Sequence, residues 1–239
     1  MEKNSYWIGG RHAVEAALLN PARKKYEIVL SDRSHHADEI IEKFKSFAKI
    51  TTIKNQKFFN KIFPLDFKHQ GVAARISSFD RIELKDYLKN NADEKNIVLL
   101  DGVTDPRNIG SIIRNCIAFN VSTIILHEQG LNAKSPSMHV AASGAIEHIN
   151  LIIVKNISSA LRLLKENDFW VFGFDGTSKL IFDKSLSNKK NILIFGDEGS
   201  GLRDLTKKLC DQLVKIPISR KIESLNVSSA VVAALSFLR

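Results

Sequence analysis

The sequence predicts an α/β protein in two parts: a small α/β unit, then a larger one built on a mostly parallel sheet. Three observations lead there. Short apolar runs alternate with segments of helical spacing along nearly the whole chain. From residue 96 onward those runs are apolar at consecutive positions, as strands covered on both faces require. Between the two series lies a polar, charged stretch, 77–94, with the composition of a linker.

The expected division is therefore 1–76, a linker over 77–94, and 95–239. In the first part, residues 10–19 place Ala13, Val14, Ala17 and Leu18 on one helical face. A strand at 26–30 follows, then helical spacing over 36–48 carried by Ile40, Ile41, Phe44 and Phe47. A short strand at 50–53, a short helix at 56–62 and a strand at 71–76 complete an αβαβαβ unit. One short helix fits within the linker. In the second part, strands are expected at 97–100, 123–126, 150–154, 169–174, 192–196 and 213–216. Helical patterns fill the gaps at 109–119, 136–146, 157–166 and 225–238.

Composition narrows the class. The 239 residues are 44% hydrophobic and 26% charged, as in a soluble globular protein. No apolar run approaches the roughly 18–20 residues of a membrane span. The N-terminus lacks a basic-then-apolar signal pattern, so a cytoplasmic protein is expected. Cys116 and Cys210 lie far apart without CxxC spacing, which argues against a disulfide framework and against a metal site. Net charge is +9, and residues 1–75 hold 14 basic against 8 acidic residues. Such an excess suits a polyanionic partner, although a lysine-rich solvated surface would look the same.

Three loops at expected strand ends carry unusual residues, where ligands of parallel sheets bind. The first, 101–110, has neither the GxGxxG nor the GxxxxGK[ST] pattern, which disfavours a dehydrogenase or an NTPase. It offers the amide of Asn108 and a small residue at Gly110, with Pro106 holding Asp105 extended. Arg114 lies one helical turn beyond Gly110. A helix cap at Asn108 and an exposed helix residue at Arg114 would explain both without a site. The second loop, 196–202, reads Gly-Asp-Glu-Gly-Ser-Gly-Leu. Its glycines permit positive φ and close backbone approach, and Glu198 is expected to pair with Arg114. A glycine-rich turn with solvated acids is the alternative. The third, 217–226, runs into a helix for which Ser224 is the expected cap, with Asn226 in the first turn.

Order and spacing make the set specific. Asn108-x-Gly110-x3-Arg114, then Gly196-x-Glu198-Gly199-x-Gly201-Leu202, then Ile216-Pro217 leading to Ser224-Leu-Asn-Val227 resembles the three motifs of the SpoU (TrmH) family of SPOUT-class RNA ribose 2′-O-methyltransferases. The resemblance covers 96–239, including the segment Ala142-Ser-Gly-Ala-Ile-Glu147. Residues 7–16 and 69–73 resemble the L7Ae-like substrate-binding domain of the RlmB-type branch, which acts on a guanosine in large-subunit rRNA.

The resemblance implies a deep trefoil knot in the C-terminal domain, S-adenosylmethionine as cofactor, and a homodimer with rRNA as partner. Gly196, Gly201, Ile216 and Leu225 would hold the cofactor. Arg114, Asn108, Glu198, Ser224 and Asn226 would be catalytic. Where the family often has glycine, this chain has Arg220, which with Lys221, Arg11 and Arg23 is a candidate RNA contact. A tRNA substrate, or an RNA-binding protein that has lost catalysis, are the alternatives.

Overall fold

The computed structural model describes residues 5–32, 37–91, 93–129, 131–186, 189–219 and 221–238. The chain forms two compact units, 1–80 with 133–147, and 81–132 with 148–239.

The first unit contains β1 (Ser5–Gly9), α1 (Arg11–Leu19), β2 (Lys25–Ser31), α2 (Ala37–Lys43), β3 (Thr51–Lys54), α3 (Gln56–Ile62) and β4 (Val72–Ser77). Its sheet runs in the order β1-β4-β2-β3, with β4 antiparallel to β1 and β2, and β3 parallel to β2. Period-two alternation divides the side chains between two faces. Ile28, Leu30, Val72 and Ile76 pack with Val14 and Leu18, whereas Val29 and Ala73 pack with Phe59 and Phe63. Strand β1 is absent from the sequence expectation, because a five-residue run with two buried alternating positions gives little periodicity. Helical spacing over 36–48 resolves into α2 and a 3-10 turn, Lys45–Ile50; its expected start at His36 lies outside the described residues.

The second unit opens with α4 (Leu84–Asn90), inside the expected linker. Leu84, Tyr87 and Leu88 sit at helical spacing and enter the core of this unit. The Tyr87 hydroxyl donates to Glu94 at 2.6 Å. Then follow β5 (Asn96–Asp101), α5 (Pro106–Ala118) and β6 (Thr123–His127). The connection after β6 carries α6 (Pro136–Ala142), which belongs to the first unit. Here the expected division at 95–239 differs from the structure. His139 is buried with its Nε2 3.1 Å from the Tyr6 hydroxyl, and Glu147 is ion-paired with Arg23. These anchors fold 133–147 into the first unit.

The expected helix over 136–146 ends at Ala142, where Ser143 turns left-handed at φ 49°. The chain then returns through β7 (Asn150–Val154), α7 (Ile157–Lys165), β8 (Trp170–Phe174), β9 (Asn191–Gly196), α8 (Asp204–Leu209), β10 (Gln212–Val214) and α9 (Val227–Ser236). The six strands form one parallel sheet, β10-β8-β9-β5-β6-β7. Ile97, Leu99, Ile125, Ile152, Ile192 and Ile194 fill one face against α7, as their continuous apolar runs require.

Candidate active site

Strands β5 and β9 lie side by side at the centre of the parallel sheet, with Asp101 beside Gly196. The chain leaves β5 toward β6 on one side, while β8 flanks β9 on the other. Loops part at such a switch point and leave a crevice beyond the carboxyl ends.

Local chemistry sets what each loop presents. Asp105, extended at φ −63° and ψ 117°, caps α5 by accepting from the Arg107 N–H at 2.8 Å, and Pro106 opens the helix. Asn108 is therefore no cap, and its amide is free for other partners. On the facing helix the cap is Asn226, which accepts from the Ser228 N–H at 3.0 Å. This corrects the assignment of Ser224 as cap; Ser224 stays in the loop.

The three loops meet at one oxygen. Glu198 Oε1 accepts from Asn226 Nδ2 at 2.6 Å, Asn108 Nδ2 at 3.1 Å and the Val227 N–H at 3.2 Å. Asn226 Nδ2 also donates to Asn108 Oδ1 at 3.0 Å. Each of the three residues comes from a different loop, and a single carboxylate oxygen ties them. Behind them, Ser111 and Ser228 join α5 to α9 through their hydroxyls at 2.9 Å.

Beside this cluster is a cavity of about 460 Å³. Gly196, Gly201, Ile216, Ser224, Leu225 and Glu198 all line it. The glycines have distinct reasons. A Cβ on Gly196 would sit 2.1 Å from the Gly201 carbonyl carbon, so only glycine lets these backbones approach. Gly201 adopts φ +66°, in the left-handed region. A hollow of about 540 Å³ along Leu84, Lys155 and Ser159 contains none of the residues the sequence singled out.

Other expectations change. Arg114 is exposed on α5, and among the described residues no ion pair joins it to Glu198. Glu198 Oε1 is instead held by three N–H donors, two side-chain amides and one backbone group. Arg23 is buried; its guanidinium donates to both oxygens of Glu147 and to the Ser77 carbonyl, and lies 3.1 Å over the Phe79 ring. With 1% of its side chain exposed it is out of reach of a phosphate, which removes it as an RNA contact. Arg11 is paired with Glu15 and Glu39. Lys221 is exposed, and Arg220 lies outside the described residues.

Two features of the site escaped the sequence. Asp101, buried at the end of β5, receives the Arg203 N–H at 3.1 Å and Arg203 Nε at 2.6 Å, fixing the end of the glycine loop. Its signal was a carboxylate closing an apolar run. Asp175 lines the cavity and accepts from Lys207 Nζ at 2.7 Å and from the Thr177 N–H and hydroxyl. Burial works to raise its pKa, but the Lys207 ammonium and the Thr177 donors outweigh that and hold it at about 2. Burial pushes the thiols of Cys116 and Cys210 up to about 12, so neither is a nucleophile at neutral pH.

A parallel α/β sheet with a glycine-walled cavity at its switch point, preceded by a separate α/β unit, defines a two-unit enzyme that binds a small organic ligand. The sequence matches the SpoU rRNA methylase family over residues 95–236 and the RNA 2′-O ribose methyltransferase substrate-binding family over 7–81. The chain belongs to the SpoU family and is an RNA 2′-O-methyltransferase.

It is 30% identical to the 23S rRNA (guanosine-2′-O-)-methyltransferase RlmB of Xylella fastidiosa, over 96% of this chain and 94% of that one. It is 31% identical to YacO of Bacillus subtilis, over 96% and 92%, a protein whose name leaves the substrate open as tRNA/rRNA. In fold, an AdoMet-bound rRNA methyltransferase from Sinorhizobium meliloti superposes with a TM-score of 0.80 at 23% identity, covering 100% of this chain and 88% of that one.

Proposed function

We propose that this enzyme methylates the 2′-oxygen of a guanosine ribose in large-subunit rRNA, using S-adenosylmethionine, and works as a cytoplasmic homodimer with a trefoil-knotted C-terminal unit. The observation that carries the reading is Glu198 Oε1, on which Asn108, Asn226 and the α9 N-terminus converge beside the glycine-walled cavity.

The cavity fits that cofactor. Its volume is within the range of organic-ligand pockets. Phe195, Ile216 and Leu225 offer apolar walls to a base, and Gly196 and Gly201 allow backbone groups to reach it. Four carboxylates, Asp175, Asp197, Glu198 and Glu223, face two ammonium groups, Lys207 and Lys215, so the lining favours a cation.

S-Adenosylmethionine supplies, when bound, a methyl group activated by a sulfonium leaving group. The protein then has to place the ribose hydroxyl in line and stabilise the oxygen as its proton passes to solvent water, the sulfonium leaving as neutral S-adenosylhomocysteine. Arg114 serves as a cation: arginine keeps its proton throughout the physiological range, so it stabilises a developing alkoxide rather than acting as a base. Asn108 and Asn226 fix Glu198, and Ser224 adds a hydroxyl at the cavity wall. The exposure of Arg114, and a second Glu198 oxygen that has no partner among the described residues, support a homodimer in which Arg114 of one copy serves the cavity of the other. Lys221, which is exposed, and Arg220 are the residues of this loop assigned to RNA contact.

Mapping 2′-O-methyl groups in a strain lacking the protein is the test. Loss of one guanosine methyl in large-subunit rRNA is expected; loss confined to tRNA sinks the substrate assignment. Co-expression of Arg114→Ala with Glu198→Ala tests the shared site. Mixed dimers should regain activity that neither variant has alone, and no regain rules the arrangement out.

A further inference from the structure

The positive charge of the first unit divides into two populations. Among its described basic residues, Arg11, Arg23, Lys43 and Arg75 are held by Glu15, Glu39, Glu147 and Glu27. Residues 49–68 differ: five lysines, Lys49, Lys54, Lys57, Lys61 and Lys68, accompany one acid, Asp66, a net charge of +4 in twenty residues. All five are exposed, and among the described residues none has an ion-pair partner.

Their placement is set by the fold. α3 buries Phe59 inward, and Phe63, the residue after the helix, is buried in the same cluster, with the Phe59 ring stacked on His69 at 4.1 Å. Lys57 and Lys61, one turn apart, therefore share the outer side. Lys54 closes β3, the edge strand of the four-stranded sheet. Two large apolar side chains stand among the lysines, Ile53 at 61% and Leu65 at 83% exposed.

Unpaired ammonium groups around exposed apolar side chains match a polyanion that also offers flat apolar surface, namely RNA with its phosphates and unstacked bases. We propose that this face, β3 with α3 and the following turn, is where the RNA substrate docks, rather than the arginines of α1 and its following loop. The lysines act as point charges on phosphate and give affinity without sequence choice. The inference rests on the RNA-methylation reading and deepens it.

The test uses the full-length protein and an unmodified large-subunit rRNA transcript, with affinity measured at several salt concentrations. Lys57→Glu with Lys61→Glu is compared with Lys89→Glu with Lys208→Glu, an equal charge change on exposed residues of the second unit. Thermal melting confirms that each variant folds, and Lys57→Gln with Lys61→Gln replaces the reversal if it does not. The expected result is affinity at least about tenfold weaker at low salt, and a log–log salt slope shallower by roughly 1.5, for the α3 pair only. Equal loss in both pairs, an unchanged slope, or lysine-dependent binding to phosphatidylglycerol vesicles without any effect on RNA overturns the proposal. Its failure is separable from that of the functional reading. Wild-type protein that binds rRNA through these lysines but methylates none of it sinks only the reaction, whereas full methylation with unaltered variant affinity sinks only the docking face.

Discussion

Two glutamates show how one side chain serves opposite ends. Glu147, in the first unit, has a side chain that is 1% exposed, and both its oxygens are engaged, by Arg23 Nε and Nη2 and by Asn20 Nδ2 at 2.8–3.0 Å. Glu198, in the second, is exposed and holds three donors on one oxygen, leaving the other without a partner among the described residues. Complete satisfaction in a dry setting makes Glu147 a fastener. Partial satisfaction at a cavity mouth makes Glu198 a group that is placed but still available.

Breaking the fastener should have the largest effect. Arg23→Ala leaves a buried carboxylate uncompensated and should cost about 3–5 kcal/mol, read from denaturant unfolding of the full chain. A loss below about 1 kcal/mol would contradict the role given to the pair.

Glu198→Ala should act on the other axis, lowering methyl transfer by roughly a hundredfold while the unfolding midpoint stays put. Glu198→Gln sharpens the comparison, since its carbonyl oxygen can still receive the three N–H groups. It should retain cofactor affinity and lose rate; equal loss of both would show that the charge itself organises the loops.

The units should also differ in acid. Burial, with Arg23 nearby, lowers the His139 pKa to about 3, so the fold keeps it neutral. Its contribution is full above the unfolded value near 6.5 and is lost as pH falls below that, at about 1.4 kcal/mol per pH unit. His139→Gln should flatten stability between about pH 6.5 and 4, measured by unfolding in buffers of matched ionic strength. Asp175 acts lower and more weakly. With its pKa held near 2, its contribution is present above about pH 4 and fades toward pH 2. Asp175→Asn should leave the curve above pH 5 unchanged and flatten only the acid limb.

Much of this was legible before folding. The continuous apolar runs at 97–100 and 192–196 could only be strands covered on both sides, and they became β5 and β9. Asn108, Glu198 and Asn226 were identifiable from the order and spacing of the three motifs, since each loop alone admitted a structural explanation. Burial and pairing were not legible. Arg23 and Arg114 look alike as letters, yet one is sealed against Glu147 and the other is exposed. The cap moved from Ser224 to Asn226, a difference of two residues that depends on where α9 meets α5.

The sequence by itself determined the alternation of strands and helices, the glycine loops and the family motifs, because periodicity and backbone freedom are local properties of the chain. Only the tertiary structure decided that 133–147 belongs with the first unit, that Glu198 gathers three loops on one oxygen, and which cations are neutralised. Those outcomes rest on residues far apart in sequence being brought within hydrogen-bonding distance, and no local pattern encodes that distance.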